Sequence, residues 1–223
     1  VEELIKEVYV ANIQKKEAEL ESLQAQINPH FLYNTLSSIS RLAKFGEIEK
    51  LHEMVMGLAK FYRLSLNKGY TIIAVPLELE QVGAYIDIQS IKFKNRLSVW
   101  YDVQAEVHGY ETVKLILQPF VENSLEHALF GKSITIKVTA RLVEGNIVFK
   151  IIDDGIGMKP EMVNKILSRD GVQLGYGIRN VDERIKLQYG QAYGVNIFSR
   201  LGMGTTVTIT IPAIKKRSHE NRR

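Results

Sequence analysis

From Val1 to about Ile27 the chain contains neither Pro nor Gly and is dominated by Glu, Lys, Gln, Ala and Leu, a pattern that predicts one long helix. Ile13, Leu20 and Ile27 recur every seven residues with Leu23 between them, while Lys6 and Lys16 fall on the same seam. A left-handed dimeric coiled coil and an amphipathic helix packed on its own chain both satisfy this spacing. Pro29 lacks an amide hydrogen and its ring collides with the carbonyl one turn earlier, so a kink is expected just before His30. Helical character resumes through Phe45, and Gly46 supplies a stop. Leu51, Val55, Leu58, Phe61, Tyr62 and Leu66 then form a second amphipathic run that ends at Asn67, Lys68 and Gly69. Two helices with a short joint make an antiparallel hairpin. Apolar on one side only, it would bury that face against a copy of itself as a dimeric four-helix bundle.

Residues 70–76 read as a connector, after which Leu79, Val82, Ile86 and Ile91 restore helical spacing from 77 to about 94. At Leu97 the texture changes. Segments 97–103, 134–142, 147–152, 195–198 and 205–211 are rich in Val, Ile, Thr and aromatics and are expected as strands. Helical segments are expected near 112–129, 160–168 and 178–189. The fold class is therefore α+β, with a mixed sheet covered by helices on one face. The expected division is a signalling helix over 1–27, the hairpin over 28–69, an α/β domain over 70–213 and a disordered basic tail over 214–223.

Composition narrows the chemistry. Cys is absent, which excludes disulfides, thiolate metal sites and Cys nucleophiles. The net charge of +4 owes part of its excess to Lys215, Lys216, Arg217, Arg222 and Arg223, so charge gives no reason to expect nucleic-acid binding. No run approaches the roughly 20 apolar residues of a membrane-spanning helix, and no signal-peptide pattern opens the chain. The first residue is Val rather than Met, from which an upstream sensor or membrane module is expected outside these 223 residues, with this chain as its cytoplasmic portion.

Four clusters carry candidate chemistry, and each also has a plain structural reading. In Asn28-Pro29-His30-Phe31-Leu32-Tyr33-Asn34, His30 is either a packed or capping residue or, if exposed beside the kink, an imidazole able to accept a phosphoryl group. In Gln118-Pro119-Phe120-Val121-Glu122-Asn123-Ser124-Leu125-Glu126-His127, Asn123 and His127 share a helix face. Asn123 could offer its carbonyl oxygen to magnesium and His127 could donate to a phosphate, or both are surface residues. Asp153-Asp154-Gly155-Ile156-Gly157-Met158 follows a strand and reads as a turn, or as a carboxylate for the amino group of a base with glycines that admit a flat ring. Gly175-Tyr176-Gly177-Ile178-Arg179-Asn180 opens a helix whose first amides suit phosphates, but it follows a loop and is no dinucleotide fingerprint.

In this order and spacing the four clusters resemble the motif set of the sensor histidine kinases, in the LytS/YesM-like branch whose acceptor His follows Asn-Pro. Gln26 to Asn34 resembles the phosphoacceptor motif, Leu117 to Asn123 the N box, Asp153 to Met158 the first glycine box, Gly175 to Val181 the second, and Gly204-Thr205-Thr206 the closing strand motif. The resemblance covers residues 23 to about 212. It implies an ATP-binding α/β sandwich of the type shared with gyrase, Hsp90 and MutL, and an activity in which ATP phosphorylates His30. A response-regulator receiver domain would then take the phosphoryl group onto an Asp. ATP and Mg2+ would be bound by a homodimer, with Asn123 as magnesium ligand and His127 on the phosphates. Asp153 would bind the adenine amino group with Thr205 assisting, and Gly155 and Gly157 would shape the adenine pocket. Gly175 and Gly177 would be hinges of a lid over roughly 158–174, and Arg179 would stand among the nucleotide-binding positions.

Two departures bear on mechanism. Many histidine kinases carry an acidic residue directly after the acceptor His, where Phe31 stands here, so Glu122 is the candidate for orienting or deprotonating His30. ATPases of the fold place a water-activating Glu one turn before the magnesium Asn, where Pro119 stands, which favours transfer over hydrolysis. Asn34, one turn beyond His30, is a candidate for holding the water that later cleaves phosphohistidine. An ATPase with a structural His30, and a non-catalytic nucleotide-binding dimer, are the alternatives.

Overall fold

The computed structural model describes residues 29–66, 70–128, 133–167 and 176–216. The expected helix over 1–27, the kink before His30, and Gly175 lie outside them. The chain divides into two compact units, Val1–Gly69 and Tyr70–Arg223.

The first unit is an antiparallel pair of helices, α1 (Pro29–Lys44) and α2 (Ile48–Ser65). The described part of α1 begins at Pro29. At the other end Gly46 takes φ +71° and its amide donates to Ala43 O, while Glu47 N donates to Leu42 O, so the last carbonyls of α1 are satisfied as the chain reverses. The seam between the helices is aromatic: Phe31 meets Phe61 with ring centroids 4.9 Å apart, and Met54 is buried with them. Tyr33, Leu36, Phe45, Ile48, Val55, Met56 and Leu66 remain exposed in the single chain.

The second unit carries β1 (Ile72–Ala74), α3 (Val75–Phe93), β2 (Leu97–Val103), β3 (Tyr110–Val113), α4 (Gln118–Ala128), β4 (Ile134–Val143), β5 (Asn146–Asp153), α5 (Pro160–Leu167), α6 (Tyr176–Tyr189), β6 (Gly194–Arg200), β7 (Gly204–Pro212) and β8 (Ile214–Lys215). Five strands form a mixed sheet in the order β2-β4-β5-β7-β6, with β2 parallel to β4 and the other neighbours antiparallel. Side chains alternate as a half-covered sheet requires. Ile134, Ile136, Val138 and Ala140 of β4 and Ile147, Phe149 and Ile151 of β5 are buried, whereas Lys137, Arg141 and Lys150 are exposed. The covering helices contribute Val82, Ile86, Phe120, Val121, Leu125, Val181 and Ile185 to the same core. No helix among the described residues is long and apolar enough to cross a membrane.

The structure departs from the sequence reading around a second, small sheet, β1-β3-β8. The expected connector over 70–76 contains β1 and the first turn of α3, with Pro76 in that turn. The helix expected from 112 begins only at Gln118, because Thr112 and Val113 belong to β3 and Leu115 turns the chain with φ +60°. The start of the basic tail, expected as disordered, is ordered: Ile214 and Lys215 pair with Glu111 and Tyr110, and Lys216 N donates to Gly109 O, while 217–223 lie outside the described residues.

Candidate active site

The α/β unit holds a cavity of about 600 Å³ between the helical layer and one end of the sheet. Its walls are largely apolar, with Phe120, Ile156, Met158, Met162, Ile178, Ile197 and Val207 among them, and Asn123, Ser124, Asp153 and Thr205 supply polar groups. A concave apolar chamber of this size with a few converging polar groups is what an organic ligand of nucleoside dimensions requires.

Asp153 is the last residue of β5 and is only 7% exposed. Three elements satisfy its carboxylate: Ser124 Oγ donates to Oδ2 at 2.8 Å, and the amides of Gly155 and Thr205 donate to Oδ1 at 3.0 and 3.2 Å. Burial pushes its pKa up and the neighbouring Asp154 adds to the rise, while the Ser124, Gly155 and Thr205 donors oppose it. Oδ1 has both lone pairs engaged, and Oδ2 keeps one lone pair for a further donor. Thr205 is the second residue of β7, and its hydroxyl lies 2.9 Å from Ser199 Oγ, which also accepts from Met158 N at 2.8 Å.

Asn123 sits in the second turn of α4 on the cavity wall, beside Ser124. His127 lies one turn further along the same helix. Glu122 does not line the cavity. It belongs to the 118/122/126 stripe that faces α3: Gln118 Nε2 donates to its Oε1 at 2.7 Å, and Gln81 of α3 donates to Gln118 Oε1 at 3.3 Å. One residue along a helix is a rotation of about 100°, enough to separate Glu122 from Asn123. Burial raises the Glu122 pKa, opposed by the Gln118 bond and reinforced by Glu126. Gly155 and Gly157 lie in the loop after β5, and Gly177 and Arg179 in the first turn of α6. Among the described residues there is no group of three or more His, Asp or Glu that could hold a metal ion.

In the hairpin unit His30 is exposed at the start of α1. The Asn34 amide nitrogen stands 3.3 and 3.2 Å from its two ring nitrogens. Sequence reasoning thus found Asn123, Asp153, Gly157 and Thr205 on one cavity. It missed Ser124, Ser199, Lys159 and Lys165, residue types too common on any chain to be recognised before the fold sets them around the cavity or its carboxylate.

The described residues thus comprise a helical hairpin and, in a second unit, an apolar cavity with a few polar groups on a helix-covered mixed sheet. Residues 18–97 match the family profile described as histidine kinase, and residues 109–215 match that of the histidine kinase-, DNA gyrase B- and HSP90-like ATPases. The sensor histidine kinase YesM of Bacillus subtilis is 38% identical over 214 residues, 93% of this chain and 36% of that protein. The sensor protein LytS of the same organism is 28% identical over 92% of this chain and 35% of its own length. The catalytic domain of histidine kinase ThkA shares the fold, with a TM-score of 0.53 at 16% identity over 66% of this chain and 98% of that one. The chain belongs to the sensor histidine kinases, in the branch of YesM and LytS, and spans about a third of the length of these curated relatives.

The glycine motifs have unequal steric grounds. A Cβ on Gly157, which takes φ +66°, would stand 2.0 Å from the backbone oxygen of Arg200 and 2.9 Å from that of Gly204. A Cβ on Gly177 would meet only Pro119 Cβ, at an ordinary 3.7 Å. Gly157→Ala should lower unfolding stability by about 2–4 kcal/mol, whereas Gly177→Ala should leave it unchanged or raise it by up to about 1 kcal/mol. Denaturant unfolding of the two variants checks the contrast.

Proposed function

We propose that this chain is the ATP-dependent autokinase core of a dimeric two-component sensor, phosphorylating His30 and passing the phosphoryl group to an Asp of a response-regulator receiver domain. The observation that carries it is a base-sized cavity ending on a buried, donor-ringed carboxylate in one unit, with an exposed imidazole opening the hairpin of the other. The free lone pair of Asp153 Oδ2 suits the exocyclic amino group of adenine, and the apolar walls suit its ring. Asn123 offers a carbonyl oxygen to magnesium, with His127 on the phosphate side. Apolar side chains left exposed on the hairpin, Leu36, Val55 and Met56 among them, support its pairing with a second copy.

Bound Mg-ATP supplies the terminal phosphoryl group and neutralises charge as it transfers. The unprotonated nitrogen of neutral His30 forms the N–P bond as the bond to the ADP oxygen breaks. The phosphorylated ring then sheds the proton on its other nitrogen. Asn34 orients the ring and later the water that hydrolyses phosphohistidine. Glu122 is the proposed proton acceptor: burial raises its proton affinity, and to act it must leave Gln118. Pro119, one turn before Asn123, offers no base to activate water against ATP.

With γ-labelled ATP and magnesium, the wild-type chain should acquire acid-labile, base-stable label that His30→Gln abolishes. ATP turnover that persists unchanged without label would instead mark an ATPase, and absent Mg-ATP binding in calorimetry a scaffold. Glu122→Gln should slow labelling by roughly 10²-fold while leaving ATP affinity unchanged; an undiminished rate removes Glu122 from the mechanism.

Adenine recognition by Asp153 needs the ionised carboxylate, which exists above its raised pKa. ATP affinity should therefore fall on acidification at a pH above the ordinary Asp range. Ser124→Ala removes a donor that favours the ionised form, so the loss should begin at higher pH in that variant. Calorimetric titrations across pH check the direction.

A further inference from the structure

Glu78 lies on α3, is not among the residues lining the cavity, and is 1% exposed. Its carboxylate accepts three consecutive backbone amides: Leu115 N on Oε2 at 2.7 Å, and Ile116 N and Leu117 N on Oε1 at 2.8 and 2.9 Å. Those residues are the approach to α4, and Leu117 O accepts the first helical amides, from Phe120 and Val121. Leu115 holds φ +60°, a left-handed conformation that L side chains rarely adopt without outside support. The same approach is gripped from α6, where Arg184 donates to Lys114 O and its charge acts on Glu78. A second tie, Gln81 to Gln118 to Glu122, fixes the rotation of α4 about its axis.

We infer that Glu78 is a positioning residue for magnesium: by holding Leu115 in its left-handed turn and collecting the three amides before α4, it sets where that helix starts and hence where Asn123 projects into the cavity. This rests on the reading of Asn123 as the magnesium ligand. The adenine end of the site depends on different elements, the β5–β7 pair and Ser124, so loss of Glu78 should act on the magnesium-dependent part of ATP affinity. Groups that act behind a metal ligand change metal affinity by roughly 10- to 100-fold when altered.

The experiment is calorimetric titration of the full chain with ATP, once in excess magnesium and once in EDTA, the ratio of affinities giving the magnesium contribution. Glu78→Gln keeps the volume and one acceptor oxygen but turns an NH2 toward the Leu115 amide. The ratio should fall about tenfold, with affinity in EDTA within about twofold of wild type. Adding Leu115→Gly should recover at least half of that loss on a logarithmic scale, because glycine holds a positive φ unaided. Equal loss in both media, no loss in either, or a double variant no better than the single one overturns the inference. If Glu78→Gln does not fold, folding of the double variant with its ratio restored supports the inference and its failure overturns it. Asn123→Ala separates the two readings: a ratio unchanged by that substitution overturns the magnesium assignment itself.

Discussion

A carboxylate removed from water must be met by donors, and Asp153, like Glu78 on α3, is a place where that demand shapes the fold. An unpaired buried charge costs several kcal/mol, more than a domain of this size can leave uncompensated. The donors to Asp153 come from α4, from the loop after β5 and from the start of β7, so satisfying one side chain places three separate elements. The β5–β7 register ends with Asp153 opposite Thr205, and Gly204 alone allows the strands to approach there, since a Cβ would lie 2.0 Å from Asp153 O. The cavity takes its shape from this junction. Its apolar walls are ordinary core surface left uncovered beside this buried carboxylate.

The same logic explains why the hairpin unit is built so differently. Among its described residues no charged side chain is buried; its internal seam is Phe31 on Phe61 with Met54. An isolated pair of helices buries one narrow stripe each, and α1 and α2 leave Leu36, Val55 and Met56 facing outward. Such a surface is costly in water unless shared. The proposed phosphoacceptor has to be accessible, and His30 is exposed, with the Asn34 amide, among the described residues, beside its ring without enclosing it.

Much of this was legible before the fold. The five long strands announced themselves because β-branched residues alternate with polar ones where one sheet face is wet, as Lys137, Arg141 and Lys150 show. The small sheet stayed hidden for an equally physical reason. Its strands are two to four residues long, and the apolar run Val113 to Leu117 satisfies a helical period until Leu115 reverses the backbone. No composition rule anticipates a leucine at positive φ. What permits it is Glu78, 37 residues upstream, and that pairing exists only once α3 lies across the approach to α4. Ser124 and Asp153 are invisible as a pair for the same reason. Glu122 stands off the cavity wall because adjacency to Asn123 in sequence is a 100° turn on a helix, which brings it to Gln118 instead.

Glycine motifs illustrate how far a short pattern can carry. Gly157 and Gly177 stand in equivalent-looking Gly-x-Gly runs, and only the first is sterically required by backbone that cannot move aside. Gly157 lets the loop after β5 lie against the β6–β7 turn, where Gly202 N reaches Ile156 O. Its role is to close protein on protein, and the space a flat ring would use is the result of that closure. Gly177 faces Pro119 across an ordinary contact, so the requirement there cannot be space in this arrangement of α4 and α6.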